Sequence, residues 1–295
     1  LSRGLGDVYK RQEVGDDGKV VFVPTTENYW EYLQFANKLY REGLLDNDVF
    51  SMSEDKDLAQ KGSQGIVGCF DGGAAYLIVG NNLDSQYTGV PALTSDINQK
   101  QMWLGFGNDI SPDTIVIRST SPYQREIVRW MDFFYTELGS ELESFGKEGA
   151  DWTWDDEAHT SWTFNVPDGM DIEEYRGTIT PNVGLGTIPY WNGDFVLKDS
   201  TPQVKNINQA VEEAGYMDYL KVPYPSVTFT SEESIELSTL QIDLNNLVES
   251  QETRLIAKKD LTRADFDAFV ADLKAARVDR YVEIYQNAYD RYMAE

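Results

Sequence analysis

The stretch GKVVFVPTTENYWEYLQFANKLYREGLL, residues 18–45, reads as a strand, a turn and a helix. Val20 to Val23 form a short apolar, mostly β-branched run that suits a pleated, half-buried surface. Thr26 is placed to cap the helix by accepting from one of its free N–H groups. Tyr29, Leu33, Ala36 and Tyr40 then recur at helical spacing, and Gly43 supplies a left-handed stop from which Leu44 folds back. Two further stretches repeat the pattern. GIVGCFDGGAAYLIVG, residues 65–80, reads as a buried strand, a glycine turn and a helix starting near Gly72. DTIVIRSTSPYQREIVRWMDFFYTELGS, residues 113–140, reads as a strand and a helix capped by Ser121, with Pro122 in its first turn and Gln124 completing the box. Its apolar face is Ile127, Met131, Phe134 and Leu138, and Gly139 ends it. Alternating strands and helices place the chain in the α/β class.

The rest of the chain is organised around this core. Ser51 and Glu54 form a capping box before a short helix that stops at Gly62. Phe145 to Asp199, rich in Gly, Trp, Asp and Thr, is expected to hold irregular structure and short strands. Thr201 and Pro202 open a helix with Val204, Ile207 and Val211 inward. Thr230 with Glu233, and Thr262 with Asp265, box two more helices. Their inward stripes are Leu237, Leu240, Leu244 and Leu247, then Phe266, Phe269, Val270 and Leu273. Tyr281, Ile284, Tyr285, Ala288, Tyr289 and Tyr292 mark a last helix. No repeat, heptad or low-complexity tract is present.

Composition narrows the function. Fifty acidic against 25 basic residues give a formal charge of −25 in 295 residues. Such a surface repels phosphate backbones and anionic lipid, which excludes nucleic acid as a partner and a polybasic membrane arm. Cys69 is the single cysteine and His159 the single histidine, so neither a disulfide nor a multi-histidine metal site can form within the chain. Cys69, in an apolar run, reads as a buried structural thiol. His159, in an acidic Trp-rich loop, reads as exposed or structural. The cluster Asp155, Asp156 and Glu157 lacks the spacing of a calcium loop and reads as a solvated surface. No cofactor or metal is expected.

Residues 1–12 are set apart. Asp7–Gln12 is what a transposon end used to tag sequencing libraries encodes in frame, and no Met or leader precedes Glu13. These residues are therefore expected to be non-native, and no element is assigned to them.

The segments YWEYLQFANKLYREGLLDNDVF, DLAQKGSQGIVGCFDGGAAY, DTIVIRSTSPYQREIVRWMDFFYTELGSE and FGKEGADWTW follow in an order that resembles family 1 extracellular solute-binding proteins of ABC importers, of the Gram-positive lipoprotein type. FDAFVADLKAARVDRYVEIYQNAYDRY resembles the end of that family, with Arg277 where a Gly often turns the chain. The resemblance runs from Gly18 to Tyr292. It implies a two-lobe binding-protein fold (type II), incomplete at its N-terminus. Residues 13–104 would belong mostly to the C-terminal lobe, 105–215 to the rest of the N-terminal lobe with crossing segments, and 216–295 to a helical return to the C-terminal lobe. It further implies an extracellular, lipid-anchored protein, monomeric at full length. Such a protein passes a carbohydrate, expected to be an oligosaccharide, to a permease and catalyses nothing.

Flat rings cover the C–H faces of a pyranose, while carboxylates and amides pair with its hydroxyls. The aromatics in polar surroundings are Tyr76, Trp103, Trp152, Trp154, Tyr190, Trp191 and Phe229. Asp71 follows the apolar run where the family's cleft is lined, and equally suits a helix cap. Trp30 and Trp130 lie in amphipathic helices and read as core; Trp162 fits either role. A competing reading is a glycoside hydrolase using two carboxylates drawn from Asp71, Asp151, Asp155 or Asp194. A receptor-coupled sensor would share the binding site and differ only in its partner.

Overall fold

The computed structural model describes residues 11–15, 17–52, 54–94, 103–104, 115–180, 190, 192–221 and 224–294. The chain divides into two compact units. Unit 1 comprises Leu1–Gly80, Pro91–Pro112 and Gly215–Glu295; unit 2 comprises Asn81–Val90 and Asp113–Ala214.

In unit 1, β1 (Gln12–Val14) pairs antiparallel with β2 (Val20–Phe22), in the register Gln12 to Phe22 and Val14 to Val20. Gln12 is thus inside the fold and buried, although the sequence assigns no element before Glu13. The Gln12 side-chain oxygen accepts from the Tyr281 hydroxyl at 3.2 Å, which ties β1 to the helix that carries Tyr281. After one 3₁₀ turn, α1 (Glu27–Arg41) starts at Thr26, whose hydroxyl accepts from Tyr29 N–H. It ends as expected: Gly43 has φ 71° and Leu44 N–H reaches back to the Leu39 carbonyl.

Three C-terminal helices complete the unit: α9 (Ser231–Ile256), α10 (Arg263–Ala275) and α11 (Val278–Ala294). Both expected capping boxes form. The leucine stripe of α9, the phenylalanines of α10 and Tyr281, Ile284 and Tyr285 of α11 meet Val20, Phe22, Leu33 and Ala36 in one core. Polar bonds fix that packing. Asn37, buried on α1, donates its amide to the carbonyls of Ile256 and Lys258 at 2.8 and 2.7 Å, and more weakly to Leu255. Tyr29 and Tyr32 both donate their hydroxyls to Glu252 at 2.8 Å. Gln286 on α11 accepts from Val20 N–H at 2.7 Å.

Arg277 joins α10 to α11 with φ 67°, so the left-handed turn is made without a glycine. An L-residue there costs roughly 1–2 kcal/mol. Arg277 also pairs with Glu236 at 2.6 Å, but that exposed pair offsets at most about 1 kcal/mol, and Arg280 holds the same carboxylate. Arg277→Gly is therefore expected to stabilise unit 1 by about 0.5 kcal/mol, the gain being trimmed by glycine's extra freedom in the unfolded chain. A lower urea midpoint for the variant would contradict this.

Residues 65–70 depart from expectation. They run as irregular backbone; Ile66 is 67 % exposed, and Cys69 is exposed rather than a buried thiol. Before this run, α2 (Glu54–Gly62) packs on α3 (Ala75–Val79). Gly62 permits the approach, since a Cβ there would lie 2.3 Å from the Ile78 carbonyl oxygen. The Ser51 hydroxyl donates to the Asp48 carbonyl, and the Glu54 side chain expected to box with it lies outside the described residues. Elsewhere in unit 1, β3 (Trp103–Leu104) and β6 (Leu220–Lys221) pair in parallel.

In unit 2 the expected helix over 121–138 is two helices, α4 (Gln124–Phe133) and α5 (Glu137–Ser144). Thr136 caps α5 by accepting from Gly139 N–H at 3.1 Å. Gly139 does not end a helix. It lies in the first turn of α5 because a Cβ would meet the Phe133 carbonyl oxygen at 2.1 Å. Ser121 accepts from Tyr123 N–H in a turn just before α4, whose cap is Tyr123. On α4, Ile127, Met131 and Phe134 are half-buried, and on α5 Leu138 is 58 % exposed.

Beyond α5 come the hairpin of β4 (Trp152–Trp154) and β5 (Trp162–Phe164), then α6 (Ile172–Ile179), α7 (Gly193–Val196) and α8 (Pro202–Ala214). On α8 the face of Val204, Ile207 and Val211 is only partly covered. Segment 81–90 is stitched to these helices: Asn81 donates to Asp171, Asn206 donates to Asp84, and Thr88 donates to Glu213. Among the described residues no helix is long and apolar enough to cross a membrane.

Candidate functional site

The aromatics of unit 2 divide by burial. Phe145, Trp152, Trp162, Phe164 and Phe195 are each less than 9 % exposed and form one cluster. Trp162, fully buried, stacks on Phe195 at 4.8 Å and donates its indole N–H to the Phe195 carbonyl at 2.8 Å. Trp152 packs edge-on to Phe195 at 5.0 Å and donates to the Gly146 carbonyl. The expectation that Trp152 lies against a ligand meets this placement: at 2 % exposure its ring has no free face. Alternation along the hairpin decides it, because β4 sends Trp152 inward with Trp162 while Thr153 faces solvent.

Trp154, two residues on, is only partly buried. His159 stacks on it at 4.4 Å with the rings 4° from parallel, and the Lys198 ammonium lies 5.4 Å from its ring centroid. The loop that carries His159 is wound on Asp156, whose carboxylate accepts from Ala158 N–H, Thr160 N–H and the Thr160 hydroxyl. His159 itself has φ 57°. Asp155 accepts the hydroxyls of Ser200, Ser161 and Thr163, in that order of influence, and these bonds hold its pKa below the ordinary carboxylate value. Asp156 is likewise held down, chiefly by Thr160. Both carboxylates are therefore engaged by nearby donors, Asp156 within the hairpin and Asp155 by the hairpin and by Ser200.

Tyr190 is 38 % exposed, and its carbonyl accepts from Ser140 at 2.7 Å, which fixes the backbone beneath a ring still open to solvent. Trp191 lies outside the described residues.

In unit 1, Asp71 is exposed and caps nothing: α3 begins at Ala75 with Ala74 as its cap and no side-chain acceptor. The helix start expected near Gly72 is thus three residues late, because the glycines at 72 and 73 favour a turn over a helix. Tyr76 is half-buried in α3. The backbone of Trp103 is held in β3 by pairing with Leu220. Phe229 precedes the α9 cap and packs edge-on to Tyr285 at 5.1 Å, half-buried against the helical core. The missed feature is the pair of constraints on Trp154, His159 and Lys198. A lone His five residues after a Trp gave the only hint in the sequence.

Comparison with known proteins places this architecture. No family profile matches the chain. The fructooligosaccharide ABC transporter substrate-binding protein FusA of Streptococcus pneumoniae is 24 % identical over 314 aligned positions, covering 99 % of this chain and 54 % of FusA. The chain thus spans about half the length of that curated relative. The structure of FusA in complex with kestose superposes with a TM-score of 0.75 at 22 % identity, over 96 % of this chain and 58 % of FusA. The chain has the fold of an ABC-importer solute-binding protein. That solute-binding fold recurs in an HMO-binding ABC-transporter-associated protein of Bifidobacterium longum infantis, with TM-score 0.70, 18 % identity and coverage of 99 % and 59 %. The two-lobe α/β class expected from the sequence is therefore the class found, weighted here toward helix.

Proposed function

We propose that this chain is part of the substrate-binding component of an ABC importer, which captures an oligosaccharide outside the cell by ring stacking and hydroxyl hydrogen bonds and performs no reaction. The observation that carries the reading is the fold shared over 96 % of the chain with FusA bound to kestose. In this reading residues 13–104 and 216–295 make the C-terminal lobe, and 105–215 contribute to the N-terminal lobe. The natural protein is lipid-anchored, monomeric and delivers to a permease. Tyr190, Tyr76, Trp103, Trp191 and Phe229 supply stacking surfaces and Asp71 a hydroxyl partner, while Trp154 would first have to shed Lys198. Trp152 drops out of the set because its ring is buried.

No observation favours the hydrolase alternative. A general acid needs a raised pKa, and Asp155 is shifted the other way. Calorimetry of the full-length protein against kestose, nystose and milk-type oligosaccharides tests the proposal. At least one sugar is expected to bind with Kd of about 1 μM or tighter, near −8 kcal/mol. Tyr190→Ala should weaken it about tenfold through loss of one stacking face. Binding of a peptide or metal with no sugar bound would overturn the reading.

A further inference from the structure

Helix α4 is amphipathic by spacing. Ile127, Val128, Trp130, Met131 and Phe134 share one face, while Arg125, Glu126, Arg129 and Asp132 share the other. Helices of this pattern in unit 1 bury their apolar face: α1 buries Tyr29, Leu33 and Ala36, and α11 buries Tyr281, Ile284 and Tyr285. Helix α4 buries none of its residues. Val128 and Trp130 are 57 and 63 % exposed, and Leu138, one turn past Phe134, is exposed too. The apolar run a few residues before the helix is also uncovered, with Ile115 and Val116 both exposed.

This face is fixed in shape. Trp130 packs edge-on to Phe134 at 5.2 Å, and at the corner where α5 begins the Thr136 hydroxyl donates to the Phe133 carbonyl at 2.7 Å. It offers rings and aliphatic carbon, which match the apolar side of a polypeptide segment. Its exposed area is on the order of 400 Å², about half of the roughly 800 Å² per partner that a stable dimer takes. A second copy is thus the weaker occupant, whereas a segment of the same polypeptide bears no association cost. The relatives have such a segment to offer. This chain superposes over 96 % of its length on FusA but covers only 58 % of it, so the remainder of FusA has no counterpart here.

We infer that the apolar face of α4 is an internal surface of the natural protein, covered by the portion of that protein which this chain lacks. The inference rests on the reading of the chain as part of a longer substrate-binding component.

Hydroxyl-radical footprinting of this chain and of the full-length protein at matched dose, read residue by residue by mass spectrometry, tests it. Val128, Trp130 and Leu138 are expected to oxidise at least about fivefold more slowly in the full-length protein. Trp130→Glu should shift the melting temperature of this chain by no more than about 2 °C, since its ring is already in water. The same change should lower that of the full-length protein by at least about 5 °C, because the charge is then buried. Equal oxidation rates in the two proteins would overturn the inference, as would protection of the face in this chain alone, by dimerisation or otherwise. Sugar binding by a full-length protein whose α4 stays reactive would sink the inference and leave the oligosaccharide reading standing. A protected face with no sugar bound would do the reverse.

Discussion

Trp162→Ala is expected to unfold unit 2 while leaving the helices of unit 1 intact. The side chain is fully buried, and its removal strips contacts from Phe145, Trp152, Phe164 and Phe195 at once. It also leaves the Phe195 carbonyl without the indole donor at 2.8 Å. Loss of a large buried ring costs about 3–5 kcal/mol from packing alone. The orphaned carbonyl adds about 1–3 kcal/mol if water cannot reach it. Such a loss is a large share of the roughly 5–15 kcal/mol that typically holds a domain together. Hydrogen exchange read by mass spectrometry distinguishes the units. Protection should vanish across residues 145–200 and persist in α9, α10 and α11. Uniform loss across the chain, or none, would contradict the division of labour described above. Trp162→Phe keeps most of the ring and should cost about 1–2 kcal/mol.

Asn37→Leu is the second large effect, and it acts on unit 1. The Asn37 amide closes the C-terminus of α9 from outside, donating to carbonyls that end a helix without an intrahelical partner. Leucine is close in volume, so packing changes little. What changes is that the Ile256 and Lys258 carbonyls lose the amide donor, while Leu255 keeps the Lys258 N–H, in a site where Asn37 is only 6 % exposed. At about 1–3 kcal/mol for each carbonyl left dry, the expected loss is about 3 kcal/mol in a urea melt. Asn37→Asp should be at least as harmful, because a carboxylate would turn acceptor toward acceptor. A melt within about 0.5 kcal/mol of the parent for both variants would show that water replaces the amide.

Why some features were legible in the sequence and others were not follows from how far each signal reaches. Helix starts at Thr26, Thr230 and Thr262 could be read because a cap acts over three residues, all adjacent in the chain. The α9 stripe could be read because periodicity is intrinsic to the helix, whatever it packs on. Residues 65–70 misled because a short apolar run does not by itself fix the backbone or its burial, and Ile66 and Cys69 lie exposed. Gly139 misled for another reason: its role is set by the carbonyl of Phe133 pressing on it through space. The candidate site shows the same limit. Tyr190 and Asp71 stand exposed as expected, but Trp152 and Trp154 share one face of the hairpin and differ in burial, because Phe195 packs more closely on Trp152, at 5.0 Å, than on Trp154, at 5.8 Å.

The bond from Val20 to Gln286 joins positions 266 residues apart, and α11 covers β2. During synthesis at about 5–20 residues per second, β1, β2 and α1 emerge long before their cover, so they must wait for tens of seconds at the slower end. The β1–α1 segment, apolar on the face that α11 will occupy, is thus a stretch in need of a holding chaperone, and ribosome-bound chains halted before residue 278 should show it more susceptible to protease than the finished protein.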